Sequence, residues 1–109
     1  MTAGIAVVEV FGALADPTRR DLLEELAHRG GASASALAKS LPVSRQAIAK
    51  HLQILEESGL VEGAKRGREL CFAVQPRALL ATARWMERAA ERWDTRLDRI
   101  KRIAESIDV

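Results

Sequence analysis

Arg45, Gln46, Lys50 and Gln53 fall within one short stretch and are side-chain types that read duplex DNA. Arginine donates two parallel hydrogen bonds to guanine, glutamine pairs with adenine, and lysine neutralises a phosphate. Further along, Lys65, Arg66 and Arg68 surround Gly67. A basic turn of this kind suits phosphates or a minor groove, where each contact adds salt-dependent affinity by releasing counterions. The bland alternative is a solvated, charged helix face, so the chemistry depends on what positions these groups.

Three further residues carry reactive atoms. His51 flanks the same stretch, next to apolar Leu52, and reads as a phosphate contact or a packed imidazole. A metal would need ligands that the sequence does not offer it. His28 stands near a helix end, where a surface or dipole role is the default. Cys71 is the single cysteine. With no clear basic neighbour it reads as an inert thiol, a redox switch being the alternative. No Gly-rich phosphate loop or nucleophile–base pair is visible, so an enzyme is not expected.

The elements that must place these residues follow from spacing. Ser44 is an N-cap that opens a helix from Arg45 to about Ser58, with Gly59 as its stop. Ile48, Leu52 and Leu55 make its buried stripe, and Gln46, Lys50 and Gln53 project from the other side. Leu41, Pro42 and Val43 form a tight turn behind it. Before the turn lies a short helix bearing Leu37 and Ala38, capped by Ser33 or Ser35. Asp16-Pro17 starts an earlier helix with Leu22, Leu23, Leu26 and Ala27 on its buried side and Gly30-Gly31 at its end. Thr18, in its first turn, joins the DNA-facing set.

Residues 5–14 carry Val7, Phe11 and Leu14 at helical spacing, although Ile5, Val7, Val8 and Val10 are β-branched and a strand competes. Helix is preferred. After Gly59 the period changes to two. Leu70, Phe72 and Val74 alternate with Glu69, Cys71 and Ala73, a half-buried strand whose partner is residues 60–65 and whose turn is Arg66-Gly67-Arg68. Gln75-Pro76 restarts helix. Leu79, Ala83, Met86, Ala90, Trp93, Leu97, Ile100, Ala104 and Ile107 then follow a 4-3 spacing, a heptad stripe that reads as a core or dimer seam. A small apolar effector lodged beside Trp85 and Trp93 is the sharper alternative.

The expected fold is mainly α with a small β-hairpin: a winged helix-turn-helix in the order α-α-α-α-β-β-α. One domain covers residues 1–109, with an N-terminal helix over 1–15, a reading core and wing over 16–75, and a long helix over 76–107. The net charge is +2. Residues 1–32 hold three basic against five acidic side chains, whereas residues 33–74 hold six against four. The N-terminal stretch lacks the basic start of a secretory signal, and no apolar run reaches the ~20 residues that span a bilayer. With a lone cysteine, a reducing cytoplasm is the expected compartment.

The segments ALADPTRRDLLEELA and SALAKSLPVSRQAIAKHLQILEESGLV, followed by the basic hairpin, resemble the ArsR/SmtB-type bacterial repressors over roughly residues 10–75. The tail is similar to a branch of that family without metal sites, often encoded beside START-like lipid-binding proteins. The resemblance implies an operator-binding homodimer, joined through its first and last helices and released by a signal. Val7, Phe11, Leu79, Ala83, Met86, Ala90, Trp93, Leu97 and Ile100 would then line the seam. It implies an inverted-repeat DNA partner and no cofactor. The chain departs from metal-sensing members, with SASALAKS where they carry a Cys-x-Cys sequence and no His after His51. Ala49 replaces a frequent Ser, and Pro42 a frequent Gly. A winged-helix module that binds protein instead of DNA is the competing function. The face at residues 45–53 lacks the large apolar anchors such a module exposes.

Overall fold

The Asp16 carboxylate accepts the amide N–H of Thr18 (2.7 Å) and of Arg19 (3.2 Å), which satisfies two free donors at the start of the helix that Pro17 opens. The computed structural model describes residues 3–107, with side chains from Val7 onward. Helix α1 (Ala3–Leu14) precedes this cap, and α2 (Pro17–Arg29) runs from it to Gly30, whose N–H returns to the Leu26 carbonyl. The helical reading of the β-branched first segment holds.

A two-residue strand, β1 (Ala32–Ser33), leads into α3 (Ala34–Ser40), where the Ser33 hydroxyl accepts the Ala36 amide. The chain turns through residues 41–44 into α4 (Arg45–Glu57), capped by the Ser44 hydroxyl on the Ala47 amide. Strands β2 (Val61–Arg66) and β3 (Glu69–Val74) follow, then α5 (Pro76–Ile107). The sheet is antiparallel in the order β1-β3-β2, with Ala32 opposite Phe72 and pairs from Val61–Val74 to Arg66–Glu69.

The core lies where these elements meet. Leu22 and Leu26 of α2, Leu37 of α3, Ile48, Leu52 and Leu55 of α4, and Leu60 are all at most 1% exposed. Each such side chain contributes roughly 2 kcal/mol by leaving water. Val10 and Ala13 bring α1 onto the same cluster, and Phe72 closes it beneath the sheet.

Four details differ from the sequence reading. The two-residue β1 was not expected, and it makes a three-stranded sheet of the hairpin. The turn is Gly67-Arg68 alone, so Arg66 and Glu69 are strand residues and Leu60 precedes the strand. Gly67 has φ +66°, the first position of a two-residue hairpin turn of the type that puts glycine there. Leu70 is exposed, because it pairs with Lys65 near the hairpin tip, beyond the core. Ala27 is exposed and Leu23 half-buried, so the inward face of α2 narrows to Leu22 and Leu26.

Candidate nucleic-acid interface

Helix α4 divides into two faces. Ile48, Leu52 and Leu55 are fully buried, while Arg45, Gln46, Ala49, Lys50 and Gln53 are exposed. The inward stripe anchors the helix rigidly, so the outward groups hold fixed positions on it. Ser44 spends its hydroxyl on the Ala47 amide at 3.2 Å. Thr18, half-buried, has its amide taken by Asp16. Both residues therefore build helix starts through these bonds.

The hairpin extends beside α4. Lys65, Arg66 and Arg68 are all exposed at its end. A cleft of about 500 Å³ separates helix from hairpin, with Arg45, Gln53 and Glu56 on one side and Arg68 and Leu70 on the other. Arg45 and Arg68 thus face one groove from opposite walls, with the carboxylates Glu56 and Glu69 beside them.

His51 is half-buried and does not stand alone. Its Nδ1 lies 3.3 Å from Arg19 Nη1. Arginine can only donate, so Nδ1 accepts and the ring proton sits on Nε2. The same guanidinium donates to the Ala13 carbonyl from Nε at 2.7 Å and to the Gly12 carbonyl from Nη2 at 3.2 Å, and lies 3.8 Å from Asp16 Oδ2. Arg19 therefore ties the last turn of α1 to α4. Burial works to raise the Asp16 pKa, but the amides of Arg19 and Thr18 and the charge of Arg19 outweigh it and hold the carboxyl below its ordinary value.

Arg19 and Glu56 were absent from the sequence-derived site. Glu56 Oε2 accepts the Gly63 amide at 3.0 Å, linking α4 to β2. Nothing local in the sequence names the partner of Glu56.

A second surface lies along α5. At 1.5 Å per residue this helix is close to 50 Å long, and the molecule measures 72 × 30 × 20 Å. Leu79 is half-buried, and Trp85 meets Phe11 edge-on with ring centroids 6.0 Å apart and planes at 72°. Ala83, Met86, Ala90, Trp93, Leu97 and Ile100 are exposed, and every residue from 91 to 107 is too. Val7, expected at a seam, is covered within the subunit, whereas Val8 is 68% and Phe11 41% exposed. Trp93 stands 65% exposed two turns beyond Trp85, so the pair encloses no cavity between them.

Cys71 is half-buried on β3 and His28 is exposed. Among the described residues no three His, Cys, Asp or Glu side chains gather where a metal ion could sit, and no helix is long and apolar enough to cross a membrane.

Comparison with known proteins agrees with this geometry. A family model described as a helix-turn-helix domain matches residues 14–64. The HTH-type transcriptional regulator Rv2034 of Mycobacterium tuberculosis is 42% identical over 69 residues, which are 63% of this chain and 64% of that protein. The chain thus spans just under two thirds of that regulator. The transcriptional repressor SdpR of Bacillus subtilis is 30% identical over 77 residues, covering 71% of this chain and 84% of SdpR. Among solved structures, an ArsR-like transcriptional regulator from Rhodococcus sp. RHA1 superposes with a TM-score of 0.88 at 52% identity, over 97% of this chain and 98% of that one.

Proposed function

This chain belongs to the ArsR family of transcriptional regulators, and we propose that it acts as a homodimeric repressor of its own or an adjacent operon. The observation that carries the reading is the division of α4: a fully buried Ile48–Leu52–Leu55 stripe with Arg45, Gln46, Lys50 and Gln53 exposed on the other side. Laid in a major groove, Arg45 and Gln46 at the start of the helix reach base edges, and Lys50 and Gln53 meet the flanking backbone. Thr18, Ser44 and His51 lie on the phosphate side. Lys65, Arg66 and Arg68 on the hairpin follow the phosphates or enter the adjacent minor groove.

The dimer rests on α1 and α5. A helix whose last two heptads face only water is marginal alone, and Trp93, Leu97 and Ile100 gain most by covering one another across a two-fold axis. Such an axis places two reading helices about 34 Å apart, matched to an inverted repeat. The chain is read as a single domain and as a regulator rather than an enzyme, working in the cytoplasm. Release is assigned to a non-metal signal.

The experiment is a mobility-shift titration on the DNA upstream of the coding sequence, with transcription from the same fragment measured in parallel. The reading expects a complex of two chains per site that weakens steeply with salt, and a matching fall in transcript. A salt-independent association, or binding without any fall in transcript, contradicts it.

A further inference from the structure

We propose that Glu56 is a positioning residue that sets the wing at its working distance from the reading helix. The inference rests on the DNA-binding reading above and names a device within it.

The sheet order leaves β2 at an edge, and an edge strand exposes a row of backbone N–H groups with no strand to pair them. Glu56 Oε2 takes one of these donors, the Gly63 amide, at 3.0 Å. Gly63 is also a point of close approach between the edge strand, α4 and the core. A Cβ there would lie 2.9 Å from Phe72 Cε2 and 3.3 Å from Glu56 Oε2, so the Phe72 ring and the Glu56 carboxylate together occupy the space a side chain would fill. Phe72 is buried and pairs with Gly63 across the strands. The wing is therefore held from two directions at one residue: from the core by a ring, and from α4 by a carboxylate.

The position matters because of what lies on either side. Glu56 lines the cleft whose walls carry Arg45 and Gln53 from the helix and Arg68 and Glu69 from the wing. Helix and wing can grip one duplex only if their spacing matches the distance from groove floor to backbone, and a hairpin free to swing loses that match. A carboxylate next to a DNA site otherwise repels phosphate. Removing the charge while keeping the hydrogen bond therefore gives the test a sign.

Glu56→Gln and Glu56→Ala both remove the charge, but only the glutamine keeps an oxygen able to accept the Gly63 amide. Both residues are good helix formers, so α4 should persist in each. Operator affinity is measured for both variants in the full-length chain, with thermal unfolding as a check. It is measured again with Arg66 and Arg68 replaced by Ala. The expected result is that Glu56→Gln binds at least as tightly as the natural chain, while Glu56→Ala binds about fivefold more weakly than Glu56→Gln. In the background lacking the wing arginines, the gap between the two closes. Protection of the Gly63 amide from hydrogen exchange should survive in Glu56→Gln and fall in Glu56→Ala.

Equal affinities for the two variants, or a gap that persists without the wing arginines, overturns the proposal while leaving DNA binding intact. Failure of the natural chain to bind any duplex overturns the parent reading, and this one with it.

Discussion

Arg19 and His51, 32 residues apart in sequence, meet with 3.3 Å between Nη1 and Nδ1. Through this contact and its bonds to the Gly12 and Ala13 carbonyls, one guanidinium joins the end of α1 to the middle of α4. The helix placed for dimer contact and the helix placed for DNA thus share a fastener.

Replacing Arg19 with Ala removes both carbonyl bonds and the imidazole contact. The expected loss is about 2 kcal/mol, the scale of hydrogen bonds that involve a charged group. Arg19→Lys should recover only part of it, because an ammonium cannot span several separated acceptors as a planar fork does. Urea unfolding at one fixed protein concentration checks this. An unchanged midpoint for Arg19→Ala would show that the fastener carries nothing.

Asp16 supplies a pH dependence of known sign. Its pKa lies below the ordinary aspartate value of 3.8: burial pushes upward, and the Arg19 and Thr18 amides with the Arg19 charge push further downward. A depressed acid stabilises the fold fully above that ordinary value, and the contribution fades as pH falls through the lower folded-state value. Thermal midpoints followed from about pH 5 downward should therefore drop more steeply in the natural chain than in Asp16→Asn. Asparagine keeps the cap acceptor but has no proton to gain. Parallel curves would contradict the assignment.

Gly63→Ala forces a methyl group against Phe72 and should destabilise the fold by roughly 1–3 kcal/mol, the usual cost of overpacking. Phe72→Leu in the same chain frees that space. A double-mutant cycle by thermal melting should then show a favourable coupling between the two changes. Strictly additive losses would mean that the ring does not fill the glycine's position.

How much of this was legible beforehand follows from the range of each interaction. The caps at Asp16 and Ser44 and the buried stripe of α4 were readable because each is written within a few adjacent residues. The 4-3 spacing of α5 was readable for the same reason. Strand β1 was not, since two residues carry no period and their partner, Phe72, lies 40 positions away. Leu70 alternates like a buried strand residue yet sits out on the hairpin tip, and alternation alone does not say where a sheet leaves its core. The links from Arg19 to His51 and from Glu56 to Gly63 are tertiary, and their partners are visible only once the helices are packed.

The exposed stripe of α5 makes self-association measurable. Leu97→Glu places a charge where the account needs an apolar seam, and the dimer dissociation constant should rise about a hundredfold or more by sedimentation. A natural chain that sediments as a monomer, or a variant that dimerises as before, would remove α5 from the interface.

The claim on which everything else depends is that the outward face of α4 reads bases, and affinity for matched and scrambled duplexes over a salt series tests it most directly. The account predicts that Arg45→Ala loses about tenfold to a hundredfold on the matched site and little on the scrambled one, whereas Lys50→Ala weakens both alike and flattens the salt slope by about one. Both variants binding the matched site as the natural chain does would contradict it.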